Sequence, residues 1–350
     1  MSALPRVHGG PDALGAALHD FSTNGNACGP CPQALAAVHS ADATRYPDAS
    51  YAALRAALAE FHGVHVGRIV LAGSASEFIF RISAWARQQG ACTVNIPTHA
   101  YGDYAHAAQA WALQEVPDGN GADLVWACEP SSPLGQVHTH WPHALGTTSS
   151  SGTDAVMAPL LVLDRAYAPL RLAGEESLNA AQLNRVWQLF SPNKALGLTG
   201  VRAAYALAPL QSAQAVAQMD ALASSWVLGA HGVALLTAWT QSPTQHWLQS
   251  SLHTLRIWKQ QQILGLQALG WQCLTSDTPF FCARPSDQPR WGDVRAKLRA
   301  QGIQLRDATS FGLPGYVRLA VLPPTAQAAL ISAIAAAASS EATTSDNTSS

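Results

Sequence analysis

The sequence predicts an α/β fold in which helices cover both faces of a mostly parallel sheet, followed by a smaller α+β part. Short apolar runs alternate with helical patterns up to about residue 210, and each run ends in polar, proline or glycine residues. Continuous apolar runs of this kind are typical of parallel strands buried on both faces. From about residue 215 the pattern changes to long helices and then to short strands, which predicts a second structural unit.

The first elements can be assigned from their periodicity. Residues 51–61 (YAALRAALAEF) place Leu54, Leu58 and Phe61 at helical spacing. RIVLAG then predicts a buried strand, and SEFIFRISAWARQQG predicts a helix closed by Gly90. Further strands are predicted in TVNIP, DLVWACEP, PLLVLDRAY, RVWQLFSPNK and VRAAYALAP. Ligands of parallel sheets bind at the carboxyl ends of the strands, so the polar residues after each run are the first candidates for a site.

The same patterns predict a division of the 350-residue chain. We expect an N-terminal segment over residues 1–45 that packs with the small domain, and a large ligand-binding domain over residues 46–225. A small C-terminal domain is expected over residues 226–334. The last residues, 335–350, contain no large apolar side chain, which predicts a disordered tail. A flexible connection is expected around residues 147–155 (TTSSSGTDA).

Composition excludes several classes of protein. Only 12% of the residues are charged, and 20 basic against 22 acidic residues give a net charge of -2, so no basic surface for nucleic acid is expected. No apolar stretch reaches the roughly 18 residues of a membrane span, and the N-terminus lacks a secretory signal pattern. A cytoplasmic protein without a membrane partner is therefore expected.

No metal or disulfide framework is predicted. Six cysteines in a chain of this length do not form a disulfide pattern. Cys28 and Cys31 form a C-x-x-C, but a zinc site needs a second pair, which the sequence does not supply. His138, His140 and His143 cluster within a Pro/Ser/Thr-rich stretch that is typical of a solvated loop.

Lysine is scarce, and this narrows the chemistry. The chain has three lysines, Lys194, Lys259 and Lys297. Lys259 and Lys297 lie in helical patterns and are expected on solvated faces. Lys194 follows a predicted strand in LFSPNKALGLTG, between small residues that let a ligand approach the backbone. A lysine in such a place can form a Schiff base with an aldehyde cofactor such as pyridoxal phosphate.

That cofactor makes further demands, and each has a candidate at a strand end. The ring nitrogen needs a carboxylate, which Asp164 supplies after PLLVLD. The phosphate needs Arg, hydroxyl and backbone N–H groups at a helix start. An aromatic side chain is expected against the ring face. The remaining candidates are Ala75, Ser76, Ser191 and Arg202 for the phosphate, Tyr167 for the phenolic oxygen, and Tyr104 for the ring face, with Tyr101 as its rival.

The combined motifs resemble a known family. S-x-x-K with Arg eight residues later (Ser191, Lys194, Arg202) and D-x-A-Y (Asp164 to Tyr167) resemble fold type I pyridoxal-phosphate enzymes of the aminotransferase class I/II superfamily, over roughly residues 8–330. The resemblance implies a seven-stranded, mostly parallel sheet and a homodimer in which Tyr46 reaches the partner subunit's cofactor phosphate. It also implies that Arg318 binds the substrate α-carboxylate.

Within the superfamily, the N-terminal half resembles threonine-phosphate decarboxylases of the cobalamin pathway and histidinol-phosphate aminotransferases. H-G-G from His8 and D-F-S-T-N-G-N up to Asn26 are closer to the decarboxylases, which makes His8 and Asn26 candidate substrate residues. Arg306 matches a position that meets a substrate phosphate in such relatives. The resemblance therefore implies that the substrate is a small phosphorylated amino acid. The reaction it implies is decarboxylation of L-threonine O-3-phosphate to (R)-1-amino-2-propanol phosphate.

Three departures from the family pattern keep alternatives open. The usual N-P-N-N-P-T-G is E-P-S-S-P-L-G here, so Ser132 stands where an asparagine meets the phenolic oxygen. Arg165 replaces an acid, and Asn193 replaces a serine.

An aminotransferase of the histidinol-phosphate type is the first alternative function, because the same residues serve either reaction. A non-catalytic relative that binds the cofactor or a phospho-amino acid is the second. A nicotinamide enzyme is disfavoured, because no strand is followed by G-x-G-x-x-G.

Overall fold

A computed structural model of the chain describes residues 8–145, 159–286 and 291–345. The flexible connection expected around residues 147–155 lies outside the described residues, as do residues 346–350 at the end of the expected tail. None of the helices in the described ranges combines the length and the hydropathy that crossing a membrane requires.

The described elements follow the predicted alternation of strands and helices. The strands are β1 His19–Asp20, β2 Ile69–Ala72, β3 Thr93–Asn95, β4 Gln114–Glu115, β5 Leu124–Cys128, β6 Leu160–Asp164, β7 Trp187–Phe190, β8 Ala204–Leu207, β9 Gln272–Cys273, β10 Phe280–Arg284, β11 Ile303–Gln304, β12 Arg306–Asp307 and β13 Val317–Ala320. The helices are α1 Pro32–His39, α2 Ala52–His62, α3 Ala75–Gln88, α4 Gly102–Ala110, α5 Ala180–Leu183, α6 Ala213–Ala221, α7 Ala230–Trp239, α8 Ser242–Ala268, α9 Trp291–Ala300 and α10 Pro324–Ser345.

Seven strands form the central sheet in the order β2-β8-β7-β6-β5-β3-β4. Only β8 runs against its neighbours β2 and β7, and the remaining pairs are parallel. The carboxyl ends of six strands and the start of β8 therefore lie along one edge. The predicted α/β fold with a mostly parallel seven-stranded sheet is confirmed.

Both faces of this sheet are buried, as the continuous apolar runs require. In β2, Ile69 and Leu71 belong to one core cluster, whereas Val70 and Ala72 belong to another. Successive strand residues point to opposite faces, so every position of such a strand must be apolar. This explains why the sequence shows uninterrupted runs rather than an alternating pattern.

The C-terminal part contains an antiparallel sheet in the order β12-β13-β10-β9, beside the long helices α8 and α10. The N-terminal strand β1 pairs in parallel with β11 through His19 and Ile303. The first described residues thereby contact the C-terminal part of the chain. Helix α10 continues to Ser345, into the segment expected to be a disordered tail. Its alanine content accounts for this, because alanine is the strongest helix former.

Candidate active site

A cavity of about 540 Å³ opens at the carboxyl edge of the seven-stranded sheet. Its walls come from the segments that follow β2, β3, β5, β6 and β7, from the residues before β8, and from the N-terminal and C-terminal parts of the chain. The position is the one that parallel sheets offer to ligands. The site candidates that line it are His8, Ala75, Ser76, Tyr101, Tyr104, Ser132, Asp164, Tyr167, Ser191, Lys194, Arg202, Arg306 and Arg318.

Lys194 lies in the loop after β7, and its Nζ is 5.4 Å from the centroid of the Tyr167 ring. The loop is held by backbone bonds to the N-terminal segment. The Asn26 N–H donates to the Lys194 carbonyl at 2.9 Å, and the Cys31 N–H donates to the Leu196 carbonyl at 2.8 Å. The C-x-x-C segment therefore has a structural place in the fold, against the lysine loop.

The same loop explains one departure from the family pattern. Asn193 is buried, and its Oδ1 accepts hydrogen bonds from Ser191 Oγ at 2.8 Å and from the Lys194 N–H at 3.0 Å. Its amide also donates to the Thr199 and Val201 carbonyls at 3.3 Å. Asparagine thus bridges the two ends of the loop, which a serine is too short to do.

The other two lysines do not line the cavity. Lys297 is exposed, as predicted. The prediction of a solvated face was wrong for Lys259, whose Nζ donates to the Ser276 carbonyl next to Asp277. Burial lowers the pKa of Lys259 to about 8. Helical periodicity alone did not reveal this contact, because Ser276 lies outside the helix, in the segment between β9 and β10.

Asp164 ends β6 as a buried carboxylate. Its Oδ2 accepts a hydrogen bond from the Tyr104 hydroxyl at 2.7 Å, and its Oδ1 accepts one from the Ala166 N–H at 2.9 Å. Burial raises the pKa of Asp164, and the Tyr104 hydroxyl opposes this rise. A buried carboxylate with two donors and no salt bridge among the described side chains fits a ligand that brings a positive charge.

The two tyrosines after β3 have different surroundings. The Tyr104 ring is fully buried and stacks on Trp126, with 4.5 Å between the ring centroids. Tyr101 is only partly buried, and its hydroxyl is 3.1 Å from Ser76 Oγ. Its ring meets the Tyr104 ring edge-on at 6.0 Å. Tyr101 therefore has the freer ring face, while Tyr104 supports Asp164.

An anion-binding arrangement lies at the start of α3. Ser74 caps this 14-residue helix by accepting from the Glu77 N–H, and Ala75 and Ser76 form its first turn beside the cavity. Backbone N–H groups at a helix start point outward and attract negative charge. Arg202 also lines the cavity and has an exposed side chain. Together these groups match the chemistry of a phosphate.

Arg318 lies on β13 and is buried. Its guanidinium donates to Ser132 Oγ at 3.2 Å and to the Ser22 carbonyl at 2.8 Å. The E-P-S-S-P-L-G segment thus contributes Ser132 as a direct contact of the arginine. Arg306 is also buried, and it donates to Ser310 Oγ at 2.6 Å.

The H-G-G and D-F-S-T-N segments meet at this cavity. A Cβ on Gly9 would lie 2.1 Å from the Ser22 carbonyl oxygen, so only glycine fits there. The Gly10 N–H donates to Ser22 Oγ at 2.8 Å. His8 is exposed at the cavity wall, with its ring centroid 6.1 Å from that of Tyr101.

Two predicted site residues do not line this cavity. The Asn26 amide donates to the Ala195 carbonyl at 3.0 Å and to Ser251 Oγ at 2.7 Å, so it supports the lysine loop from outside. Tyr46 is 77% exposed and stacks on Trp226 at 4.4 Å.

Sequence reasoning missed Asn24, which lines the cavity. It is buried, and its amide lies 3.5 Å from the Tyr167 hydroxyl. Its Oδ1 has no hydrogen-bond partner among the described residues. A buried acceptor at a cavity wall is a position for a ligand donor. The signal was present in D-F-S-T-N, where a second asparagine precedes Asn26 by two residues.

Comparison with known proteins agrees with this geometry. The family model for aminotransferase class I and II matches residues 108–335, more than half of the chain. A histidinol-phosphate aminotransferase from Jannaschia sp. is 27% identical over 87% of this chain and 87% of its own length. A second one, from Akkermansia muciniphila, is 26% identical over 91% of this chain and 90% of its own.

Solved structures share the fold. The histidinol-phosphate aminotransferase from Sinorhizobium meliloti, solved with pyridoxal-5'-phosphate, has a TM-score of 0.75 at 23% identity and covers 95% of this chain and 94% of its own. The L-threonine-O-3-phosphate decarboxylase from Porphyromonas gingivalis has a TM-score of 0.73 at 19% identity, covering 90% of this chain and 98% of its own. The chain therefore belongs to the aminotransferase class I and II family, and the predicted resemblance, enzyme class and pyridoxal-phosphate cofactor are confirmed.

Proposed function

We propose that the protein is an aminotransferase of the histidinol-phosphate type, which exchanges an amino group between a phosphorylated amine and a 2-oxo acid. One observation carries the proposal: a cavity that holds Lys194 also holds two buried arginines, Arg306 and Arg318. The similarity to histidinol-phosphate aminotransferases over nearly the whole chain supports it. An aminotransferase binds two substrates in turn, so the same arginines would meet the phosphate of one and the carboxylates of the other.

The cavity residues have the chemistry to hold the cofactor. Lys194 would bind its aldehyde, and Asp164 would hold the proton on its ring nitrogen. Tyr167 and Ser132 would lie near its phenolic oxygen. The phosphate would meet the N–H groups of Ala75 and Ser76, the Ser191 hydroxyl and the Arg202 guanidinium, with Tyr101 or Tyr104 against the ring face. When bound, pyridoxal phosphate withdraws electrons from the substrate Cα.

Proton transfer would fall to Lys194. With the substrate amine bound in its place, the free Nζ would accept the proton from the substrate Cα and would deliver it to the carbon that carried the cofactor's aldehyde. The Tyr167 ring beside Nζ and the Asn26 bond to the Lys194 carbonyl would keep the amine in reach. Asn26 would then be a positioning residue rather than a substrate contact.

A second candidate is decarboxylation of L-threonine O-3-phosphate, a reaction of the cobalamin pathway. The specific observation in its favour is the H-G-G segment, which is fixed against Ser22 and brings His8 to the cavity. Both candidates use a phosphorylated substrate and differ in the Cα bond that breaks. The second alternative, a non-catalytic binding protein, predicts binding without any product.

We further propose that the protein is a cytoplasmic homodimer. Within each subunit we propose the predicted domains, with boundaries after residues 45 and 225. Tyr46 would reach the partner subunit's cofactor phosphate. Its exposure beside Trp226, away from the cavity of its own subunit, supports this role.

One experiment separates the candidates. Purified protein with pyridoxal phosphate is incubated with histidinol phosphate and 2-oxoglutarate, and separately with O-phospho-L-threonine. Glutamate formed in the first reaction supports the aminotransferase. Release of carbon dioxide with (R)-1-amino-2-propanol phosphate in the second refutes it in favour of the decarboxylase. Unphosphorylated histidinol is the control for the role of the phosphate.

A further inference from the structure

Two like charges face each other in the substrate part of the cavity. Arg306 on β12 and Arg318 on β13 are direct cross-strand partners, so both side chains lie on the same face of the antiparallel pair. Both residues are buried, with 4% and 7% of their surface exposed. Like charges directly opposite each other destabilise a sheet. Hydrogen bonds to Ser310 Oγ and to the Ser22 carbonyl hold the two guanidiniums, and a further attractive contact would oppose the remaining repulsion between them.

The ring of Phe311 supplies such a contact to both arginines. The guanidinium carbon of Arg306 lies 4.8 Å from the ring centroid, and that of Arg318 lies 5.4 Å from it. An aromatic face attracts cations, and the attraction grows when water is excluded. Burial, and after it the charge of the neighbouring Arg318, lower the pKa of Arg306 to about 10. One buried ring thus contacts both cations and opposes their repulsion.

Phe311 is itself held by a residue that follows a strand of the seven-stranded sheet. It ends a short helical turn, Thr309–Phe311, which Gly312 closes with a φ of +76°. The Phe311 carbonyl accepts a hydrogen bond of 2.7 Å from Nδ1 of His99. His99 follows β3 of the seven-stranded sheet, in the stretch between Pro97 and Tyr104.

We propose that Phe311, anchored by His99, is the positioning residue that spaces Arg306 and Arg318 for a dianionic phosphate group. The proposal rests on the proposed function, in which the two arginines bind a phosphorylated substrate. It adds a specificity element in the turn between β12 and β13 of the C-terminal sheet. His99, which follows β3 of the seven-stranded sheet, and this turn would together set the spacing of the two arginines.

The test uses the loaded enzyme and inorganic phosphate as a competing probe. Phe311→Leu keeps an apolar side chain but removes the ring. It is expected to raise both KM for the phosphorylated substrate and the inhibition constant of phosphate about tenfold. The visible absorbance of the bound cofactor should not change, and kcat should fall by less than about threefold. Phe311→Tyr, which keeps the ring, is the matched control and should retain the wild-type KM.

His99 supplies an independent pair of variants. His99→Ala removes the donor to the Phe311 carbonyl and is expected to raise KM in the same direction. His99→Asn keeps a donor at nearly the same place and should therefore have a KM close to that of the wild type. Equal KM values for the two variants would overturn the role of His99, even if Phe311→Leu fails to fold.

The outcomes distinguish this inference from the function on which it rests. If the wild-type enzyme neither prefers a phosphorylated substrate nor is inhibited by phosphate, the proposed function fails. If the wild type shows both properties and Phe311→Leu retains them, the inference fails alone. A loss of cofactor absorbance in Phe311→Leu would also overturn it, because the ring would then support the fold rather than the arginines.

Discussion

Gly197→Ala tests how tightly the lysine loop is fitted. Gly197 has a φ of +66°, where an alanine costs about 1–2 kcal/mol. A Cβ there would lie 2.5 Å from the Gly29 carbonyl oxygen, whereas ordinary contacts begin at 3.4 Å. The backbone must therefore move by about 1 Å, and such overpacking costs a further 1–3 kcal/mol or so. We expect the free energy of unfolding to fall by about 3 kcal/mol.

The displacement of the loop should also lower the turnover of the enzyme. The Gly197 N–H bonds to the Lys194 carbonyl at 3.2 Å, so a shift of the loop moves the lysine. A misplacement of about 1 Å at a reacting group can lower turnover about 100-fold. Thermal unfolding and steady-state kinetics measure the two effects separately, and the midpoint should fall by roughly 4 °C.

Gly200 offers a matched control within the same loop. A Cβ at Gly200 would meet nothing within 4 Å, and its φ lies outside the left-handed region. Gly200→Ala should therefore change the free energy of unfolding by less than about 0.5 kcal/mol. If Gly197→Ala behaves like Gly200→Ala in both assays, the proposed fit between the 26–31 segment and the lysine loop is incorrect.

Three further predictions follow from other parts of the site and core. Asp164→Asn removes the buried charge that we propose for the cofactor's ring nitrogen, so the dissociation constant of the cofactor, measured by absorbance titration, should rise about 100-fold or more. An unchanged value would exclude the carboxylate from cofactor binding. Ser132→Ala removes one acceptor of Arg318 and should raise KM for the anionic substrate about tenfold, whereas Ser131→Ala, whose hydroxyl accepts from the Gln136 N–H, should leave it unchanged. Burial lowers the pKa of His62 to about 4 from 6.5, so the unfolded chain takes up a proton first as the pH falls. The contribution of His62 to stability is complete above pH 6.5 or so and is lost towards pH 4, by at most about 3 kcal/mol. Denaturant midpoints across this range should decline less steeply in His62→Gln, and parallel pH profiles would contradict the assignment.

Much of the fold could be predicted because its elements have local signals. The apolar run of β6 and the polar residue that ends it identified both a strand and Asp164. The small number of lysines identified Lys194 before any relative was considered. These inferences needed only residue order and the rule that ligands bind at the carboxyl ends of parallel strands.

The parts that could not be predicted depend on contacts between distant segments. Glu129, the first residue of E-P-S-S-P-L-G, is a buried carboxylate that pairs with Arg171 at 3.0 Å and accepts from the Ser177 N–H at 2.8 Å. Nothing near it in the sequence indicates either partner. The contact between His99 and Phe311 joins residues 212 positions apart, beyond the reach of any periodic pattern.

The central claim is that Lys194 carries the cofactor. The most direct test is to load the purified protein with pyridoxal phosphate, reduce it with borohydride, and locate the attached group by peptide mass spectrometry. With three lysines in the chain, the result can be read without ambiguity. We predict a visible absorbance band before reduction and the cofactor mass on the peptide that contains Lys194. The cofactor mass on Lys259 or Lys297, or the same band in Lys194→Ala, would contradict the account.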